Sequence, residues 1–238
     1  MVWDLNNGSF GRYLRHTGAL WRSRWVSSVA WSPDGYKLCS GEYARTSVWD
    51  VGTGNLVKVV VSEFPVWSVA WSPDSAFLAT GLRSSQPKVW DAATGVVVRC
   101  LEGATLGWET TSIAWSPVGN MLAAGYEYDT VRVWDAATGT VIHTLRGHTG
   151  SVTEYAGPVN SVAWSPDGRN IAALSFDVSA RLWEIAAGTR VLEVGKDCDR
   201  SAISIAWSSC GNLLFASTNQ LDNGAVHIFS FQTFLLAA

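Results

Sequence analysis

A zinc site, an acid–base pair or an activated nucleophile each needs particular side chains at particular spacings, and this chain offers few. Its four histidines are His16, His143, His148 and His227. No two form His-x-x-x-His, and no Cys/His cluster has zinc spacing. The four cysteines, Cys39, Cys100, Cys198 and Cys210, lie far apart with no Cys-x-x-Cys. They read as free thiols, buried or partly buried, in a reducing compartment. There is no Gly-x-Ser-x-Gly elbow and no P-loop. Asp34, Asp74 and Asp167 each follow Ser-Pro, and Asp50, Asp91 and Asp135 each follow Trp. Aspartates that repeat in one context belong to repeated turns, not to an acid–base pair. The expectation is a protein with no catalytic residues, no cofactor and no metal.

The stretch Trp21-Arg22-Ser23-Arg24-Trp25 has the residue types that stack on single-stranded nucleic acid. The net charge of -3 supplies no general basic field to go with it. Hydrophobic residues make up 47% of the chain and charged ones 16%, which suits a sheet-rich folded protein. Met1-Val2-Trp3-Asp4 does not open a signal peptide, and no apolar run reaches membrane-spanning length. The expected location is intracellular, cytoplasmic or nuclear.

The elements that position these residues repeat. From Pro158 the chain alternates around Val162 and Trp164, turns at Ser165-Pro166-Asp167-Gly168, and runs apolar from Ile171 to Ser175. Asp177 marks the next turn, and Arg181-Leu182-Trp183 forms a third strand. Copies of the Ser-Val-Ala-Trp segment place tryptophans at 31, 71, 115, 164 and 207, in steps of 40, 44, 49 and 43. A second series marks the third strand: Trp49-Asp50, Trp90-Asp91, Trp134-Asp135, Trp183-Glu184 and a degraded Phe229-Ser230. Steps of this size with Trp-Asp in each unit mark a radial array of small β-sheets.

With Thr-Gly at 53–54, 94–95 and 138–139 and Gly-His at 147–148, nearly the whole chain resembles the WD-repeat β-propellers. The resemblance implies an all-β propeller of four-stranded antiparallel blades, about five here, at 26–61, 66–101, 110–145, 158–194 and 202–229. Residues 2–16 supply a partial N-terminal repeat. The whole, 1–238, is one propeller domain, with a fragment of a larger ring as the alternative, since the family more often has seven blades. The family's structural tetrad maps onto His148, Ser175, Asp177 and Trp183. Val61-Ser62 and Glu102-Gly103-Ala104 stand where Gly-His belongs before two other blades, so those blades are expected to rely more on apolar packing. Phe10 to Leu14 is expected to close the ring as a fourth strand beside Val226 to Phe229, because an unpaired edge invites aggregation. The rival is an open arc.

Ten of the 14 tryptophans belong to the two series. Trp21, Trp25, Trp67 and Trp108 remain, all in or beside segments that join one blade to the next. With Arg22, Arg24, Glu109, Glu154, Tyr155 and Arg200 they read as interface anchors around one face. The bland alternative is that some, Trp67 above all, cap blade cores. The family resemblance implies a non-catalytic scaffold that presents this face to a protein or peptide partner, with no small-molecule substrate and no membrane. Two alternatives stand: a propeller module of a hydrolase or periplasmic complex, or a purely structural part of a longer repeat array.

Overall fold

The computed structural model describes residues 2–4, 9–12, 14, 25–83, 85–103, 109–127, 130–147, 158–176, 179–194, 201–218 and 225–229. Among them every regular element is a β-strand. Strand β1 (Val2–Asp4) pairs with β2 (Ser9–Arg12) in a sheet of two. The first full blade is β3 (Val26–Trp31), β4 (Lys37–Glu42), β5 (Arg45–Asp50) and β6 (Leu56–Val61). The second is β7 (Val66–Trp71), β8 (Phe77–Leu82), β9 (Lys88–Asp91) and β10 (Val97–Cys100). The third is β11 (Thr110–Trp115), β12 (Met121–Tyr126), β13 (Thr130–Asp135) and β14 (Val141–Arg146). The fourth is β15 (Val159–Trp164), β16 (Asn170–Ser175), β17 (Ala180–Glu184) and β18 (Thr189–Val194). The fifth has three strands, β19 (Ser201–Trp207), β20 (Leu213–Thr218) and β21 (Ala225–Phe229). Within each sheet, strands adjacent in sequence pair antiparallel.

The repeated motifs are turn chemistry. In Ser32-Pro33-Asp34-Gly35 the Ser32 hydroxyl donates to Asp34 Oδ1 at 2.5 Å and accepts from the Lys37 N–H at 2.9 Å. Gly35 takes the corner at φ 77°, where the second blade instead places Ser75 at φ 59°. The third blade has Val118 for the aspartate, and Ser116 Oγ turns to the Val118 carbonyl at 2.5 Å. In Trp-Asp-x-x-Thr-Gly the aspartate closes the next turn: Asp50 Oδ1 accepts from both the N–H and the hydroxyl of Thr53 at 2.7 Å. Asp91 with Thr94 and Asp135 with Thr138 repeat it.

The cores lie between blades. Cys39, Val48 and Val60 of the first pack with Val66, Val69, Trp71 and Leu78 of the second. The second and third share a core that runs from Ala79, Val89 and Leu101 to Ile113, Leu122 and Trp134. Val131, Val133 and Leu145 meet Val159, Val162 and Trp183, and Leu174 and Leu182 meet Ile205. Each fully buried side chain of this size contributes about 1.5–3 kcal/mol, so the joints between blades carry a large share of the apolar burial. Close approach fixes a glycine at each of the first three joints: Gly41, Gly81 and Gly125. A Cβ on Gly81 would lie 2.7 Å from Thr110 Cγ2, and one on Gly125 would lie 2.6 Å from Val159 Cγ1.

Two expectations are corrected. The segment containing Phe10 does not join the Val226–Phe229 strand: β2 pairs with β1, and β21 has β20 as its neighbour among the described residues. Of the three described cysteines only Cys39 is buried, while Cys100 and Cys210 are exposed. Burial pushes the Cys39 thiol up to about 12, leaving it unreactive.

Candidate functional site

Each inner strand runs in the same direction, because equivalent residues of successive inner strands meet. The Val69 N–H donates to Ser28 Oγ, Ile113 to Ser68, Val162 to Ser112 and Ile205 to Ser161, at 3.0–3.3 Å. The starts of the inner strands therefore gather on one side of the array. Antiparallel pairing brings the turn between second and third strands to that same side. Backbone hydrogen bonds tie the two together: Arg83 N–H to the Pro65 carbonyl, Glu127 to Glu109, and Phe176 to Pro158.

Among the described residues, seven aromatic side chains are exposed, and five of them stand on this side: Trp25, Tyr43, Phe64, Trp67 and Phe176. Trp25 is 84% exposed immediately before β3, and Tyr43 is 66% exposed at the β4–β5 turn. Arg83 reaches across the second joint, its Nε donating to Glu109 Oε1 at 2.6 Å. Trp31 and Tyr36 are the two exposed aromatics elsewhere.

Trp67 stands at a special position. Every inner strand has a register break at its second or third residue, between Val26 and Ser28, Val66 and Ser68, Thr110 and Ser112, Val159 and Ser161, and Ala202 and Ser204. A bulge re-aims the extra side chain. In the first blade that residue is Ser27, whose hydroxyl bridges the carbonyls of Gly41 at 3.0 Å and Val66 at 2.5 Å. Thr111 does the same with Gly125 and Val159. Trp67 replaces the bridging hydroxyl with an indole that is 42% exposed. A small residue would serve the joint better, so the tryptophan needs another reason.

The described residues include Trp25, Trp67 and Glu109 of the sequence-derived anchors. Trp21, Arg22, Arg24, Trp108, Glu154, Tyr155 and Arg200 lie outside them, as do His148 and Asp177. Tyr43, Phe64 and Phe176 were not singled out by sequence, although Phe64 precedes a proline in a connecting segment and Phe176 directly precedes Asp177. Ser175 and Trp183 are buried. By register, Ser175 is the counterpart of Glu42, and Ala173 is the counterpart of Ser40.

In the first three blades, which lack the tetrad's pattern, the third-strand indole still donates a hydrogen bond beside the apolar packing. Trp49 Nε1 donates to Ser40 Oγ at 3.1 Å, and Ser40 donates on to Glu42 at 3.0 Å. Arg45 Nε donates to the other Glu42 oxygen at 2.6 Å. All four residues are buried. Trp90 Nε1 donates to Thr80 Oγ1 at 2.9 Å. In the third blade Ala124 takes the hydroxyl's place, and Trp134 Nε1 donates to the Glu102 carbonyl at 2.8 Å.

No group of three or more His, Cys, Asp or Glu among the described residues is placed to hold a metal. The aspartates lie low because turn hydrogen bonds favour the anion. The Ser32 hydroxyl holds Asp34 below its ordinary 3.8, and the Thr94 backbone N–H does so for Asp91. These groups are turn locks. No described helix is long and apolar enough to cross a membrane.

The WD domain, G-beta repeat family matches residues 12–50, 54–91 and 139–184, over half of the chain. The family of the anaphase-promoting complex subunit 4 WD40 domain matches 101–156. Cell division cycle 20.1, cofactor of APC complex, from Arabidopsis thaliana is 37% identical over 59 residues, which is 24% of this chain and 13% of that protein. The Set1 complex component swd1 of Schizosaccharomyces pombe is 34% identical over 88 residues, 36% of this chain and 21% of that protein. The chain thus matches only a small part of the length of these relatives. A chain in a crystal structure of the mitotic checkpoint complex superposes with a TM-score of 0.81 at 24% identity, over 97% of this chain and 67% of that one. That likeness is one of fold.

Proposed function

The chain belongs to the WD-repeat family, and we propose that it is a non-catalytic scaffold whose inner-strand-start side docks a protein or peptide. The observation that carries this is the gathering of Trp25, Tyr43, Phe64, Trp67 and Phe176 on that side, with Trp67 in place of a joint-bridging hydroxyl. Large rigid aromatics are the residues that anchor protein interfaces, and exposed ones grouped together mark such surfaces. Relatives named as a complex cofactor and a complex component support the reading. Their names also favour an intracellular location, cytoplasmic or nuclear. The anchors Trp21, Arg22, Arg24, Trp108, Glu154, Tyr155 and Arg200 belong to the same proposal, as connections of the same type. So does the tetrad His148, Ser175, Asp177 and Trp183, as a structural set.

The test is affinity capture from the source cell with two matched variants. Trp25→Ala with Trp67→Ala alters the proposed side, and Tyr36→Ala with Val118→Ala alters the opposite one. Partners held by the wild type are expected to be lost from the first and kept by the second. Equal capture by both variants would remove the assignment.

A further inference from the structure

At three joints the tryptophan that ends an inner strand forms a rung to the blade before it. Trp71 Nε1 donates to the Ala30 carbonyl at 3.2 Å, Trp164 to Ala114 at 3.1 Å and Trp207 to Ala163 at 3.3 Å. Between the second and third blades this rung is missing. Trp115 is buried, yet its Nε1 has no partner among the described residues. Its ring stacks on Phe77, at 6.5 Å between centres. The first, third and fourth blades begin that strand with Lys37, Met121 and Asn170 instead. A buried N–H with no acceptor has lost its hydration without replacement, so its place in the fold needs a reason.

The same indole lines a cleft of about 340 Å³ between these two blades, on the side where the inner strands end. That size is near the lower end of the roughly 300–1,000 Å³ usual for small-molecule sites, which are mostly apolar with a few polar groups that fix orientation. Phe77, Val89 and Val98 make the apolar wall, and the exposed Arg99 and Asn120 supply the polar part. Arg99 is held across the joint. Its Nε donates to the Ala137 carbonyl of the third blade and its Nη1 to the Val98 carbonyl, both at 2.6 Å. No carboxylate pairs with it among the described residues. The guanidinium is thus a fixed cation with N–H groups to spare. A cleft of about 220 Å³ beside Trp207 lacks both features: that indole is already paired, and the lining holds Asp167 and no arginine.

We propose that the cleft between the second and third blades binds a small aromatic carboxylate with an acceptor on the ring end away from the carboxylate. The carboxylate pairs with Arg99, the ring lies against Phe77, Val89 and Val98, and the acceptor takes the Trp115 N–H. A cationic guest is repelled by Arg99, and a purely apolar one leaves the indole unpaired. The site lies on the side opposite the exposed aromatics and does not depend on what docks there.

The test titrates the full chain with three probes, followed by ligand-observed NMR. 4-Acetylbenzoate carries both the carboxylate and the ring-end acceptor. 4-Isopropylbenzoate keeps shape and charge without the acceptor, and 4-acetylbenzamide keeps the acceptor without the charge. 4-Acetylbenzoate is expected to bind saturably with a Kd of about 1 mM or tighter. Each analogue is expected to bind about tenfold more weakly. Arg99→Gln should weaken 4-acetylbenzoate to the level of the amide. Trp115→Phe should bind the two benzoates alike, because the donor is gone. Unchanged melting shows that each variant keeps its fold, and the comparison of probes on the wild type stands without the variants. No saturable binding of 4-acetylbenzoate would overturn the proposal. So would equal binding of all three probes, undiminished binding by Arg99→Gln, or a Trp115→Phe chain that still prefers the acetyl compound.

Discussion

The indole of Trp164 donates to the carbonyl of Ala114 at 3.1 Å, across the joint between the third and fourth blades. Fifty residues separate the two, so the bond serves the array and not the local turn. Trp115, at the equivalent place one joint earlier, has a buried Nε1 with no partner among the described residues and stacks instead on Phe77, 6.5 Å between ring centres. Removing the donor should therefore matter at one site and not at the other. Trp164→Phe is expected to lose about 0.5–1.5 kcal/mol more than Trp115→Phe, measured by urea unfolding. Equal losses would show that the rung contributes nothing.

Gly125 is held to a hydrogen by Val159 of the next blade. Gly125→Ala should force the third and fourth blades apart and cost about 1–3 kcal/mol. Gly119 offers the control for volume, since a Cβ there meets nothing within 4 Å. Its φ of 73° adds backbone strain, so Gly119→Asn, which tolerates that conformation, is the fair comparison and should cost little.

Glu42 and Arg45 are buried as a pair with N–O distances of 2.5–2.6 Å. Arg45→Met leaves the carboxylate underpaired and is expected to cost about 3–5 kcal/mol. Adding Glu42→Leu removes the stranded charge and should recover much of that loss. A double variant no better than the single one would mean that the cost lies in packing.

Asp34, Asp74, Asp91 and Asp135 all titrate below 3.8. The largest cause is the Ser32 or Ser72 hydroxyl for the first two and the backbone N–H of Thr94 or Thr138 for the others. A carboxyl held low in the fold stabilises it above the unfolded value and loses that contribution as pH falls through the folded one. The melting temperature should change little from neutral pH to about 5 and drop below about 4. Asp91→Asn should lower the neutral plateau and soften the acid drop; an unchanged acid limb would assign it to other groups.

Much of this was legible in the sequence. Ser-Pro-Asp-Gly and Trp-Asp-x-x-Thr-Gly are closed by bonds between residues two to five apart, so their pattern carries their meaning. Ser28 and Ala30 were visible as repeated letters, but their partners Val69 and Trp71 come from the next unit, and the joining role needs the array. The Ser40–Glu42–Arg45 set escaped notice because it keeps the indole's hydroxyl while replacing the rest of the tetrad's pattern. Phe10 was assigned to the far end of the chain on strand count. It pairs locally instead, since closing the short loop from Asp4 to Ser9 costs far less entropy than joining the two ends of the chain. Phe64 and Phe176 look like ordinary core aromatics until their exposure is seen.

The docking side is tested most directly by photo-crosslinking from single positions in the source cell, with benzoylphenylalanine placed at 25, 43, 67 and 176 on one side and at 36, 96 and 118 on the other. The scaffold account predicts crosslinks to the same foreign protein from at least two positions of the first set and none from the second. Crosslinks to that protein from 36, 96 and 118 alone would contradict it.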